Sequence, residues 1–379
     1  MNFDLTEDQQ LLVETAASFV KKQSPVSRFR GLREDALGYS RAVWRQLCEF
    51  GWLGAAFPES VGGAGGSFVD AMLILEQLGA ALVPEPFTSA LVSGRALLRA
   101  GSVEQQRRWL EPLLSGGATL ALAYAERNTR YAIDDVGLRA ERAGGAYRLT
   151  GAKRFVLDGH AADAFVVSAR SQAGLSLFVV DRETPGLTVE AVKTMDGHRA
   201  AMLTFRDAEV AGDRLLGAEG SGLSALAEAV DVGAAAACAE GVGIMRTVLA
   251  MTTEYLRTRE QFGVKIGTFQ ALQHRAVDMF VETELCRSTA ILAAIKIDDP
   301  DEAERESAVS AAKVQLAMGG KLVTQQAIQL HGGIGITDEH DVGLYFKRMQ
   351  VLNSIFGDEE HHLHRFAALP AFTATQRDS

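Results

Sequence analysis

Arg257-Thr258-Arg259-Glu260-Gln261-Phe262-Gly263 separates two long helical patterns, and what lies on either side of it decides the fold. Apolar residues recur at three and four through 222–258 before it, and again through 269–297, 301–330 and 339–355 after it, which predicts amphipathic helices. Further back the period changes. From about 120 to 215 the chain is broken into short β-type pieces such as Phe165-Val166-Val167, Leu177-Phe178-Val179-Val180 and Met202-Leu203-Thr204-Phe205. Gly144-Gly145 is a turn signal, so 146–156 reads as a strand with Tyr147 and Leu149 on one face, and the recurring turns predict a small antiparallel barrel or sandwich. From residue 4 to about 115 helical spacing holds again, in Leu12, Ala16, Phe19 and Val20, in Leu47, Phe50 and Leu53, and in Met72, Leu75 and Leu78. Phe57-Pro58-Glu59 running into Gly62-Gly63-Ala64-Gly65-Gly66 is a loop that no helix would tolerate. The expected domains are therefore 1–118 (helical), 119–221 (strands) and 222–379 (helical).

With 379 residues, 47% of them hydrophobic, the chain is long enough to bury a large core in two or three domains. Cys48, Cys238 and Cys286 are far apart in sequence, with no pair spaced for a disulfide framework or a zinc site, which fits a reducing cytoplasm. The opening MNFDLTEDQQ carries acids where a targeting peptide carries basic residues. The small-apolar run 233–239 is too short for a bilayer and meets Glu240, so no membrane association is expected. Acidic residues outnumber basic ones 48 to 38, and no basic tract with interleaved aromatics occurs, which argues against nucleic acid as a partner.

Local sequences resemble the acyl-CoA dehydrogenase family along nearly the whole chain. Leu5-Thr6-Glu7-Asp8-Gln9-Gln10 is similar to the family's opening helix, and Gly51-Trp52-Leu53 with Phe57-Pro58-Glu59 and Gly62-Gly63 to its first helical loop. Leu149-Thr150-Gly151-Ala152-Lys153, continuing to Gly159, Ala162 and Asp163, is similar to the strand pair that covers the flavin. Arg257 to Gly263 with Ile266, Phe269 and Gln270 resembles the most specific family signature, and Gln329-Leu330-His331-Gly332-Gly333-Ile334-Gly335 its glycine-rich companion. The resemblance implies a multi-domain α+β fold: an N-terminal helical domain, a central antiparallel β-barrel and a C-terminal four-helix bundle. It also implies FAD held between barrel and bundle across a subunit interface.

A pyrophosphate needs fixed positive charge and close backbone approach. Arg259 offers the first and Gly332-Gly333 the second. By resemblance Arg259, Gln261, Phe262, Gln270, Gln329, Gly332 and Gly333 reach the FAD of a neighbouring subunit. Taken singly, Arg259 and Phe262 also suit an ordinary helix end, and Gly332-Gly333 an ordinary helix C-cap. Where typical members place tryptophan and, two residues on, threonine beside the flavin, this chain has Phe155 and Leu157. Phe155 retains an aromatic cover, while Leu157 has no hydrogen bond to offer the ring. The passage that usually ends in Gly-Ser-Asp reads Ala125-Glu126-Arg127-Asn128-Thr129-Arg130-Tyr131, so Arg127 and Arg130 stand as candidates for a phosphate or an acidic acyl group, or as solvated loop arginines.

The implied reaction is α,β-dehydrogenation of an acyl-CoA thioester, on an acyl chain other than a simple straight one, with electrons passed to an electron-transfer flavoprotein. It requires a carboxylate within about 3 Å of the α-proton. In Ser354-Ile355-Phe356-Gly357-Asp358-Glu359-Glu360-His361-His362 the family's glutamate falls on Phe356 or Gly357, and the alternative glutamate on an earlier helix falls on Gly233 or Ala234. None of these is an acid. Either Asp358 serves as the base from a displaced loop, or a homologous partner supplies it. Asp358-Glu359-Glu360 also suits a plain acidic helix start. Phe356-Gly357-Asp358, His361-His362-Leu363 and Arg130-Tyr131 look most like the small subunit of pimeloyl-CoA dehydrogenase-type enzymes, so the expected assembly is a homo-oligomer or a heterotetramer with a homologous subunit. Two alternatives remain beside this: a non-catalytic FAD-binding or structural subunit, and a flavin-dependent oxidase or monooxygenase on the same scaffold. His361, His362 and His364 read as surface or packing residues rather than a metal site.

Overall fold

The computed structural model describes residues 4–370; Met1 to Phe3 of the opening stretch and residues 371–379 of the last segment lie outside the described residues. In chain order the helices are α1 Glu7–Gln23, α2 Val26–Leu32, α3 Arg41–Glu49, α4 Phe68–Ala80, α5 Phe87–Ala100, α6 Val103–Gln105, α7 Glu111–Leu114, α8 Leu223–Thr258, α9 Gln270–Lys296, α10 Glu302–His331, α11 Gly333–Ile336, α12 Val342–Ser354 and α13 Glu359–Ala367. The strands are β1 Leu120–Ala123, β2 Arg139–Ala143, β3 Ala146–Leu157, β4 Ala164–Ser171, β5 Gly174–Asp181, β6 Leu187–Lys193, β7 Arg199–Ala211, β8 Leu215–Leu216, β9 Glu260–Gln261 and β10 Val264–Lys265. Side chains set several helix starts. Thr6 and Gln9 form a capping box on α1, Ser40 caps α3 and Asp301 caps α10, each meeting backbone N–H groups that have no partner within the helix. The glycine-rich loop after Phe57 contains one short 3₁₀ turn, Glu59–Val61, ended by Gly62 in the left-handed region.

The described residues divide into two compact units, one made of Leu32–Ser67 and Pro84–Gly233, the other of 4–31, Phe68–Val83 and 234–370. In the first, eight strands run in the order β6-β7-β3-β2-β4-β5-β8, with β1 beside β4. This corrects the expected antiparallel barrel. The sheet is open: among the described residues β8 is two residues long and pairs with β5 alone, while β6, which carries exposed Thr188, Glu190 and Lys193, pairs with β7 alone and is left as an edge. It is also mixed: β1 and β2 run parallel to β4. Tyr147 and Leu149 are buried on one face of β3, and Ala143 pairs with Ala146 across the Gly144-Gly145 turn.

In the second unit α4 and α8 approach so closely that a Cβ on Gly79 or Gly243 would run into the carbonyl oxygens of Glu240 and Glu76. Glu240 accepts two bonds from Arg348 of α12, at 2.6 and 2.9 Å, and the Tyr345 hydroxyl donates to Ala80 O at 2.7 Å. α9 packs along α10 through Met279, Thr283, Cys286 and Ala290. α8 is long and apolar enough to cross a membrane by composition, and 83% of its most apolar window is buried within the protein.

Candidate functional site

Within the helical unit, two helix ends carry the residues expected to grip a dinucleotide. The end of α8 is extended by Arg259 N donating to Tyr255 O at 2.9 Å, after which β9 and β10 pair as a hairpin closed by Ile266 N donating to Arg259 O, also at 2.9 Å. Its two turn residues, Phe262 at φ +56° and Gly263 at φ +78°, are both left-handed, as the tightest hairpin turn requires. Gly263 adopts this without cost, whereas Phe262 does so under strain and with its ring 90% exposed. Arg259, Gln261 and Gln270 are exposed beside it.

The second end closes α10. Gly332, at φ +63°, donates its N–H to Gln329 O at 3.1 Å and so is a helix C-cap, as one of the sequence readings had it. A Cβ on Gly332 or Gly333 would touch nothing within 4 Å, so packing inside this chain does not require Gly333 to be bare. Open backbone at this point fits a group brought from outside. The two ends are tied together by His331, whose ring stacks on Tyr255 of α8 with centroids 4.6 Å apart and lies 4.5 Å from the ring of His340. His331 Nδ1–H donates to Ala327 O at 2.7 Å, and burial lowers its pKa. Charge, an exposed aromatic and side-chain-free backbone are thus all present for a flavin dinucleotide.

In the sheet unit, the register of β3 against β7 shifts between Lys153 and Val156, and Phe155, at φ +47°, bulges out of the strand with 62% of its surface exposed. An aromatic pushed out in this way can cover a ring system. Leu157 is half-buried and its carbonyl accepts from Ser89 Oγ at 3.2 Å. Arg127 and Arg130 are exposed at the tip of the 124–138 loop, where Arg130, at φ +49°, lies over the Tyr131 ring at 5.7 Å. Sequence reasoning quoted Lys153 and Glu126 without a role, and the structure supplies one. Lys153, with no exposed surface, donates to Glu126 Oε1 (2.7 Å), Ser168 Oγ (2.9 Å) and Tyr124 O (3.2 Å), while the Glu126 carboxylate also accepts from the N–H groups of Gly137 and Leu138. Burial pushes the Lys153 pKa down to about 8 against the pull of Glu126. This pair pins the neck of the arginine loop.

The base position lies between α12 and α13. Phe356 is buried at φ +56° and Gly357 follows at φ +107°. Asp358 is the N-cap of α13, its Oδ1 accepting from His361 N at 3.0 Å, with Glu359 and Glu360 in the first turn; this is the acidic helix start. Beneath the loop, Lys313 of α10 donates to Leu352 O (2.7 Å) and Ile355 O (2.9 Å). His362, 1% exposed, donates from Nε2 to Phe356 O at 2.9 Å, since a carbonyl only accepts, and its Nδ1 accepts from Ser310 Oγ at 3.3 Å. Burial lowers Lys313 to about 8 and His362 to about 2. Lys313 was missed in the sequence, although a lysine on the same helical face as Val309, Leu316 and Gly320 was the signal.

Comparison with known proteins agrees. The acyl-CoA dehydrogenase N-terminal, middle and C-terminal domains match residues 6–117, 121–208 and 220–368. The acyl-CoA dehydrogenase IpdE2 of Mycolicibacterium smegmatis is 32% identical over 96% of this chain and 99% of its own. Among solved structures, the ChsE4-ChsE5 complex of Mycobacterium tuberculosis contains a chain 30% identical, with a TM-score of 0.89 over 97% of this chain and 98% of that one. A chain solved in work on the electron transferring flavoprotein of Acidaminococcus fermentans is 29% identical, with a TM-score of 0.91 over the full length of both. Similarity that runs through all three parts, rather than through one motif, means that this chain belongs to the acyl-CoA dehydrogenase family, FAD-dependent oxidoreductases acting on acyl-CoA thioesters.

Proposed function

We propose that this chain is the flavin-gripping subunit of a heteromeric acyl-CoA dehydrogenase whose homologous partner supplies the catalytic carboxylate. In the reaction a base removes the proton next to the thioester carbonyl while the neighbouring carbon loses hydride, which FAD, when bound, accepts. The observation that carries the reading is the 355–358 loop. Phe356 and Gly357 have no acid to offer, and the Asp358 carboxylate already accepts from the first turn of α13. Service by Asp358 as base would cost that cap, which is worth about 1 kcal/mol.

The outer face of α9 supports a partner. Val277, Phe280, Val281, Leu285, Leu292 and Ile295 are between 38% and 57% exposed, following one another at helical spacing opposite the buried stripe. The similar ChsE4-ChsE5 complex pairs two differently named chains, and the similarity to a chain solved in work on an electron transferring flavoprotein favours such a protein as the electron acceptor. In this reading 1–118, 119–221 and 222–379 act as three domains, and α8, α9, α10 and α12 form a four-helix bundle. The replaced contacts at Phe155, Leu157 and the Arg127–Arg130 loop favour an acyl chain other than a simple straight one.

The test is anaerobic titration of the flavin-loaded protein with a panel of acyl-CoA thioesters, alone and mixed with homologous subunits. Bleaching of the flavin is expected only in the mixture. Bleaching by the isolated chain that vanishes in Asp358→Asn would instead make Asp358 the base.

A further inference from the structure

Gly357 has neighbours that decide what its position admits. A Cβ built there would lie 2.5 Å from His362 Nε2, 2.8 Å from His362 Cδ2 and 2.6 Å from His361 Cδ2, and the backbone, at φ +107°, is in the left-handed region. His361 is half-buried on the side of α13. His362 is not so placed: it is 1% exposed and bonded at both ring nitrogens, to Phe356 O and to Ser310 Oγ, so its ring has nowhere to go. Lys313 donates to Leu352 O near the end of α12 and to Ile355 O at its C-cap, which fixes the backbone that leads into Phe356. Phe356, the other site where the family's glutamate falls, is itself buried.

We propose that His362, seated by Ser310 and backed by the hold of Lys313 on the end of α12, is a positioning residue that keeps the base position shut, so that a carboxylate at 357 is excluded by the fold and not only missing from the sequence. The proposal rests on the reading of this chain as a subunit without its own base. Loss of the acid and closure of its place go together: Gly357 leaves room for the His362 ring, and the ring fixes the loop through Phe356 O. The ring is neutral, held far below its usual pKa by burial, so it offers no cation to draw a carboxylate in.

The experiment is a double-mutant cycle on the full chain. Gly357→Ala is made with His362 present and with His362→Ala, and thermal unfolding is followed by circular dichroism. Gly357→Ala is expected to lower the melting temperature by roughly 5 °C with His362 in place and by less than half as much without it, where the backbone strain and the contact with half-buried His361 remain. In the flavin-loaded protein, Gly357→Glu alone is expected to leave acyl-CoA bleaching at background, while Gly357→Glu with His362→Ala bleaches at least about 10-fold faster than that background. Should His362→Ala fail to fold, Ser310→Ala, which releases one side of the ring, takes its place with the same expected sign. Equal costs of Gly357→Ala in both backgrounds, or a Gly357→Glu chain that melts like the unaltered protein, would overturn the proposal. Bleaching by the unaltered chain alone would sink the subunit reading while leaving the cycle intact, and an uncoupled cycle would sink this proposal while leaving the subunit reading in place.

Discussion

Lys153 shows how much of this molecule is decided by single buried charges. Its ammonium meets three acceptors and the Glu126 carboxylate three donors, so neither ion is left short of partners. Removing one member leaves the other buried and uncompensated. Lys153→Met is therefore expected to destabilise the protein by about 3–5 kcal/mol, with Lys153→Met/Glu126→Gln costing less than the sum of the two single changes in urea unfolding. His362 gives a pH signature. Its folded-state pKa, about 2, lies below the ordinary value of 6.5, so between these limits the unfolded chain binds a proton that the folded chain refuses. Its contribution is full above pH 6.5 and is lost as pH falls towards 2. The stability difference between the unaltered protein and His362→Gln should accordingly shrink between pH 7 and pH 4, and a difference that stays constant over that range would contradict the buried neutral ring.

At the scale of elements, the hairpin β9–β10 and the bulge in β3 share a design: each holds a phenylalanine in the left-handed region and presents its ring to the outside. Neither ring contributes much to folding of its own chain, since each is mostly exposed. Phe262→Ala should leave the melting temperature of the separated chain unchanged or slightly raised, while retained FAD after gel filtration falls on the order of 10-fold. A large loss of stability with undiminished flavin would contradict the assignment. The helices here were legible in the sequence. The patterns over 222–258, 269–297 and 301–330 correspond to Leu223–Thr258, Gln270–Lys296 and Glu302–His331, because a buried stripe repeats every three or four residues whatever it packs against. The strands were legible for the same reason of period, but their partners were not. Pairing of β1 with β4 joins Leu120 to Ala164 in parallel, a contact that no local pattern encodes.

Over the whole molecule, the proposed assembly places the exposed apolar face of α9 at the subunit interface. Leu285 lies in that exposed stripe, 47% accessible, and a charge there meets water in a lone chain but would be buried in the proposed complex. Leu285→Glu is expected to leave the fold intact and to weaken subunit association by at least about 10-fold, read by analytical ultracentrifugation. Unchanged association would move the interface elsewhere.

From the sequence alone came the helix–strand–helix order, the family and the absence of an acid at Phe356 and Gly357, since all of these depend on residue type and local spacing. Tertiary structure decided the rest. Whether a sheet closes depends on its two ends meeting, and β6 and β8 do not meet. Whether Lys153, Lys313 and His362 are buried depends on which distant carbonyl and carboxylate oxygens the fold brings to them. Gly357 belongs to both: its identity is plain in the chain, but only the ring packed beside it shows that nothing larger fits.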